Sequence, residues 1–222
     1  MSRTRIALIH AVTVAVEPVQ QAFNESWPEA ELVNILDDAL SPDRAKDPDL
    51  TPAMSERIRA LGQYAVSTGA NGILYTCSAF GAAIEAFART TSLPVLKPNE
   101  AMFRRALASG RRIGMLATFG PSVASMEDEF RQMAAAQEAS ASIETVLVAD
   151  AMAALKQGDA ATHNRLLAHA VGQLSGCDAI MLAHFSTARA FDAVAAAARQ
   201  PVLTSPTAAV EELQQRCQAS AV

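Results

Sequence analysis

A shift of 107 residues lays three separate stretches of this chain onto themselves. RIALIHAV, starting at Arg5, falls on RIGMLATF, starting at Arg112; GANGILYTCS from Gly69 falls on GCDAIMLAHF from Gly176; LPVLKPNEA from Leu93 falls on QPVLTSPTA from Gln200. Apolar strands resemble one another, so any one match carries little weight. Three at one offset point to a duplicated unit.

Short apolar runs alternate with longer amphipathic segments along the whole chain, the pattern of strand-helix units feeding a parallel sheet. Strands are expected at 5–10, 31–36, 72–76, 94–96, 112–117, 143–147, 179–182 and 202–203, four in each half. Helices fill the gaps: Thr51 to Ser67 with Pro52 in its first turn, a helix opened by Pro121 and Ser122 that runs to Ala136, and a last one opened by Ser205, Pro206 and Thr207. The polar stretch from Asp37 to Leu50 reads as a long loop, and the acidic pair Asp37-Asp38 within it as solvated or capping, with the mouth of the cleft as the alternative place. The expected fold is α/β, with two pseudo-symmetric lobes, each a four-stranded parallel sheet flanked by helices. The first lobe takes residues 1–98 plus 205–222 and the second takes 99–204.

In open parallel sheets, ligands bind outside the carboxyl ends of the strands. The repeat makes Cys77 and His184 counterparts, each just past the third strand of its half, and pairs His10 with Ala117 at the ends of the first strands. Two lobes facing one another would set Cys77 and His184 around one cleft. Cys77 precedes a helix expected near Ala79, whose positive end would lower the thiol pKa and favour thiolate. The free N–H groups after it, with the Ser78 hydroxyl, could hold a carboxylate. His184 sits where a base, acid or hydrogen-bond donor would be needed. Alternatively, Cys77 is a small buried hydrophobe and His184 a structural ring. Thr118 and Phe119 continue the loop after the fifth strand, and Phe185 and Ser186 follow His184. His163 and His169, on an amphipathic helix, read as surface residues, and the Arg104-Arg105 and Arg111-Arg112 pairs as solvated helix ends.

A net charge of −5 and the lack of clustered Lys and Arg argue against nucleic acid and membrane surfaces as partners. No run reaches the length of a membrane span, and His10 interrupts the first apolar run where a leader would be uniformly apolar. Three cysteines without CxxC spacing suggest neither a disulfide framework nor a thiolate zinc site, which fits a reducing cytoplasm. GxGxxG after a strand, GxxxxGK[ST], HExxH and GxSxG are all lacking, so nucleotide, zinc-protease and serine-hydrolase chemistry lose their usual support. No metal is expected. Alanine-rich helices such as 188–198 could pack against a second copy in a homo-oligomer.

The duplicated halves, with the segments ILYTCSAFG, IGMLATFGPSV and IMLAHFST, resemble the aspartate/glutamate/hydantoin racemase superfamily, which includes arylmalonate decarboxylase and maleate isomerase. The resemblance covers essentially the whole length. It implies two flavodoxin-like lobes with the active site between them and racemisation without a cofactor by two opposed cysteines, the first matching Cys77. The second falls on His184. The decarboxylase keeps the second cysteine and lacks the first, the reverse of this chain, so arylmalonate decarboxylation is disfavoured. The polar residue that often follows the second cysteine is Phe185 here, and the acidic residue that amino-acid racemases carry after the first strand is His10, so glutamate or aspartate as substrate is in doubt. The expected activity is a cofactor-independent racemase or epimerase acting beside a carboxylate or carbonyl of a small acid or amide. Cys77 thiolate would remove the proton from one face and His184, or a water it holds, return one to the other, with His10, Ser78, Ala79, Thr118, Phe119, Phe185 and Ser186 as substrate-binding residues. Two alternatives are an isomerase or lyase with Cys77 as nucleophile, as in maleate isomerase, and a non-catalytic small-acid-binding protein.

Overall fold

Parallel strands in each half of the chain pair in the same spatial order. The computed structural model describes residues 3–47 and 49–219. Its first half runs β1 (Arg5–His10), α1 (Val16–Ser26), β2 (Glu31–Leu36), α2 (Leu40–Arg44), α3 (Pro52–Ser67), β3 (Gly72–Tyr75), α4 (Gly81–Ala88) and β4 (Val95–Leu96). After α5 (Glu100–Ser109) the second half runs β5 (Arg112–Ala117), α6 (Val123–Ala136), β6 (Ser142–Leu147), α7 (Ala149–Lys156), α8 (Ala160–Ala170), β7 (Ala179–Leu182), α9 (Phe191–Ala197) and β8 (Val202–Thr204), and α10 (Ser205–Ala219) ends it. The sheet orders are β2-β1-β3-β4 and β6-β5-β7-β8. The chain forms two units, Met1–Glu100 with Ala209–Val222, and Ala101–Ala208. The second unit is thus an insertion into the first.

The repeat seen in the sequence is also written in the hydrogen bonds. Asn71 N–H donates to Arg5 C=O at 2.7 Å, and Asp178 N–H to Arg112 C=O at 2.6 Å. Ile73 bonds Pro94 and Ile180 bonds Pro201, both at 2.9 Å; Thr76 bonds Ile9 at 3.0 Å and Ala183 bonds Leu116 at 2.9 Å. Even the side chains that start the central strands correspond: Arg5 N–H donates to Asn71 Oδ1 and Arg112 N–H to Asp178 Oδ2, each at 2.8 Å. Matched bonds at both ends of the central pair fix the same register in each sheet, so the strand ends fall at the same level in each unit.

Strands β3 (GILY) and β7 (AIML) are buried at every position, as expected of central parallel strands covered on both faces. In the first unit Ala7, Ile9, Ile73 and Tyr75 pack with Met54, Ile58 and Ala65 of α3 and Ile84 and Phe87 of α4. Helix α3 starts where expected: the Thr51 hydroxyl accepts from Met54 N–H at 3.2 Å with Pro52 in the first turn. In the second unit alternate residues serve opposite faces. Met115 and Met181 meet Phe103 of α5 and Phe130 of α6, whereas Leu116 and Leu182 meet Leu167 of α8 and Val194 of α9.

Several expectations change. The 37–50 stretch is not all loop, because α2 lies within it, tied down by Arg57 to Asp37 (2.7 Å) and Asp43 (2.7 Å). Arg111-Arg112 leads into β5, not out of a helix, and its two backbone N–H groups donate to the Asp178 carboxylate. The helix opened by Pro121 and Ser122 begins as a 3-10 turn over Gly120–Ser122. His163 is fully buried, on the stripe of α8 that also buries Leu167 and Ala170, while His169 is exposed. Among the described residues, no helix is long and apolar enough to cross a membrane.

Candidate active site

Around the carboxyl end of β3 the apolar strand stops at Thr76, and Cys77 caps a 3-10 turn, Ser78–Phe80, that feeds α4. Phe80 is buried, Ser78 and Cys77 are partly buried, and Ala79 is exposed. The Ala79 N–H bonds toward the Cys77 sulfur, and the Arg44 guanidinium adds a favourable charge for thiolate; Arg44 Nε also donates to the Ala79 carbonyl at 3.4 Å. Burial nevertheless outweighs both and pushes the thiol pKa up. This corrects the thiolate expected from the helix end. A single 3-10 turn offers little dipole, and desolvation of the charged sulfur is the larger effect.

His10 closes β1 beside this loop, 0% exposed, with Nδ1 3.0 Å from Thr76 Oγ and Nε2 3.0 Å from Asn34 Oδ1. Burial holds its pKa below the ordinary value, so the ring is neutral. Both nitrogens are engaged by the protein, and here the ring ties the end of β1 to Asn34 within β2 and to Thr76 just after β3. An open cavity of about 480 Å³ adjoins the same strand ends, lined by Ala11–Val14 after β1 and by Asp38, Ser41, Pro42 and Ala45.

In the second unit His184 follows β7 and precedes a 3-10 turn, Phe185–Ala190. Its backbone has φ 70° and ψ 151°, a region that non-glycine residues rarely occupy and that costs on the order of 1–3 kcal/mol. The buried Thr187 hydroxyl lies 2.8 Å from the His184 carbonyl and also reaches that of Ala183, bracing the peptide. Burial lowers the imidazole pKa to about 4, so the ring is neutral at physiological pH. Its Nε2 lies 3.2 Å from Ser122 Oγ, which donates to the Phe119 carbonyl at 2.9 Å.

The remaining candidates divide by burial. Thr118 is 2% exposed and its hydroxyl has no hydrogen-bond partner among the described residues, an uncommon state for a buried polar group. Phe185 and Ser186 are buried, whereas Phe119 is 46% exposed. The structure therefore brings Phe119, Ser122 and His184 into one bonded group, and His10 and Cys77 onto adjoining strand ends. Ser122 was read in sequence only as a helix opener. Its signal as a site residue was its place in the turn after β5, the strand beside β7. Among the described residues no group of three or more His, Cys, Asp or Glu could hold a metal ion.

Residues 10–175 match the model of the Asp/Glu/Hydantoin racemase family. No curated protein sequence matches the chain. Among solved structures, an aspartate racemase homologue from Pyrococcus horikoshii OT3 is similar at TM-score 0.76 and 12% identity, covering 97% of this chain and 99% of its own. Glutamate racemase from Bacillus anthracis is similar at 0.70 and 13%, covering 99% and 84%. Allantoin racemase from Klebsiella pneumoniae is similar at 0.68 and 19%, covering 98% and 89%.

Proposed function

Because the chain belongs to the Asp/Glu/Hydantoin racemase family and is a racemase-type isomerase, we propose that it inverts a carbon next to a carboxylate or carbonyl in a small acid or amide, with His184 and Cys77 as the two proton-transfer groups. The observation that carries this reading is their equivalence. Each stands one residue past the same level of the same central strand pair in its unit, 107 residues apart, and each has its protonation state set by burial.

Those states assign the roles. A neutral imidazole accepts a proton and a thiol donates one, so His184 takes the proton from one face of the carbon and the Cys77 S–H delivers one to the other. One C–H bond breaks and another forms, leaving imidazolium and thiolate; the opposite enantiomer, reacting in reverse, restores the starting pair. This order is the reverse of that expected from a helix-lowered thiolate. Negative charge gathers on the carboxylate or carbonyl oxygen as the proton leaves, and the Thr118 hydroxyl, which has no partner among the described residues, is a donor suited to it. No cofactor is invoked, and a cytoplasmic setting suits the three free thiols. A nucleophilic Cys77 is less favoured, because a protonated, desolvated thiol is a poor nucleophile.

The test is deuterium incorporation from solvent at the stereogenic carbon across a panel of amino acids, hydantoins and small hydroxy acids. Exchange with loss of optical activity, abolished in both Cys77→Ala and His184→Ala, is expected. Exchange that survives either substitution overturns the pair.

A further inference from the structure

We infer that Ser122 is a positioning residue that fixes the tautomer of His184, keeping the ring proton on Nε2 and leaving Nδ1 as the atom that accepts the substrate proton. The inference rests on the reading of His184 as the base and deepens it.

The assignment follows from counting hydrogens. Ser122 Oγ has one, and it lies 2.9 Å from the Phe119 carbonyl oxygen, which can only accept. The Ser122 backbone N–H reaches the same oxygen at a longer 3.3 Å, so the hydroxyl is the better-placed donor. With its hydrogen directed there, Oγ presents lone pairs to His184 Nε2 at 3.2 Å, and that nitrogen must carry N–H for the contact to be a bond. A neutral imidazole has one N–H, so Nδ1 is bare. No hydrogen-bond partner contacts Nδ1 among the described residues. The run Nε2–H to Oγ–H to carbonyl ends on a peptide group that cannot reverse it. Protonation at Nδ1 leaves the Nε2 bond in place, so the ring changes charge without turning.

The backbone supports the same role. A residue held at φ 70° with its carbonyl braced by Thr187 has its Cα–Cβ direction set, and a ring at the end of it that is free in tautomer would offer a bare nitrogen to substrate only part of the time. Ser122 removes that freedom without touching substrate, as orienting groups do for catalytic and metal-bound histidines.

Nitrogen-15 spectra of the full, substrate-free chain labelled at its four histidines decide the matter. Long-range proton-nitrogen correlations separate protonated from unprotonated ring nitrogens, and His184→Gln assigns the signals. The native chain is expected to show protonated Nε2 and bare Nδ1 at His184. Ser122→Ala should collapse this to a mixture of tautomers, and Ser122→Thr, which keeps a hydroxyl, should restore it. Unchanged His10 signals report that the variants remain folded, and Ser122→Cys replaces the alanine variant if it does not fold. Protonated Nδ1 in the native chain, or a native pattern preserved in Ser122→Ala, overturns the inference. The spectra need no substrate, so their failure is distinct from failure of the solvent-exchange test.

Discussion

Cys77 and His184 hold the same place in two copies of one unit, yet the cysteine is extended at φ −120° and ψ 120° while the histidine is left-handed at φ 70° and ψ 151°. The register of the central strand pair is matched up to the preceding residue, including its last bond, Thr76 to Ile9 and Ala183 to Leu116. The two copies diverge at the one residue that the proposed chemistry uses in each.

The strain at His184 has a measurable sign. Both His184→Ala and His184→Gly lose the imidazole, but only glycine tolerates this φ and ψ without a Cβ penalty. The glycine variant is expected to be the more stable by about 1–2 kcal/mol in denaturant unfolding, the opposite of the ordinary preference for alanine. Equal stabilities, or alanine ahead, would mean that the backbone relaxes on losing the ring.

Cys77 is expected to alkylate slowly near neutral pH, with the rate rising only above the free-cysteine range of about 8.5, because burial raises its pKa. Arg44 favours the thiolate, so Arg44→Met should move the profile higher still. Peptide mass spectrometry after iodoacetamide treatment follows this site. Rapid reaction at pH 6–7 would contradict the protonated thiol and return the base role to the cysteine.

Acid should destabilise the protein through histidines that the fold desolvates: His184, which is partly buried, and the buried His10 and His163. The folded pKa of His184, about 4, lies below the ordinary 6.5, so the unfolded chain binds more protons between these values. The stabilisation is complete above pH 6.5 and is lost as pH falls toward 4, by up to about 3 kcal/mol for this ring alone. His10 and His163 are shifted in the same direction, also chiefly by burial. Unfolding free energies measured from pH 7 to 4 should fall steeply in the native chain and less steeply in His184→Gln. A flat native profile would rule out a neutral, desolvated His184 ring.

Thr118→Val removes a buried hydroxyl that has no hydrogen-bond partner among the described residues. Substrate-free stability should stay level or rise, by about 1 kcal/mol at most, while turnover falls. Calorimetry and the solvent-exchange assay read the two effects separately; lost stability with unchanged turnover would make Thr118 a packing residue.

The strands were legible because each is an apolar run bounded by polar or turn residues, and β1, β2, β5 and β7 begin and end where the pattern says. Helix α2 was not, since LSPDR has a loop composition and is held by Arg57, 14 residues from Asp43 and 20 from Asp37. The buried position of His163 could have been read from its spacing to Leu167 and Ala170, but the polar neighbours Asn164 and Arg165 masked it. Cys77 and His184 stood out by their place in the repeat. Their protonation did not, because helix-end position and desolvation push a thiol in opposite directions, and only coordinates say which is larger. The left-handed turn at His184 was hidden as well, for glycine is the residue that announces such a φ.

The insertion of one unit into the other also orders synthesis on the ribosome. Residues 101–208 emerge as one continuous stretch and can close their sheet as soon as they are made. The unit started first must wait for α10, where Leu213 and Cys217 press so closely on Gly72 that a methyl group there would sit 2.9 Å from the cysteine sulfur. Helix α10, made after residues 101–208, therefore completes the unit begun before them, and its loss would be felt first beneath β3, the strand that leads to Cys77.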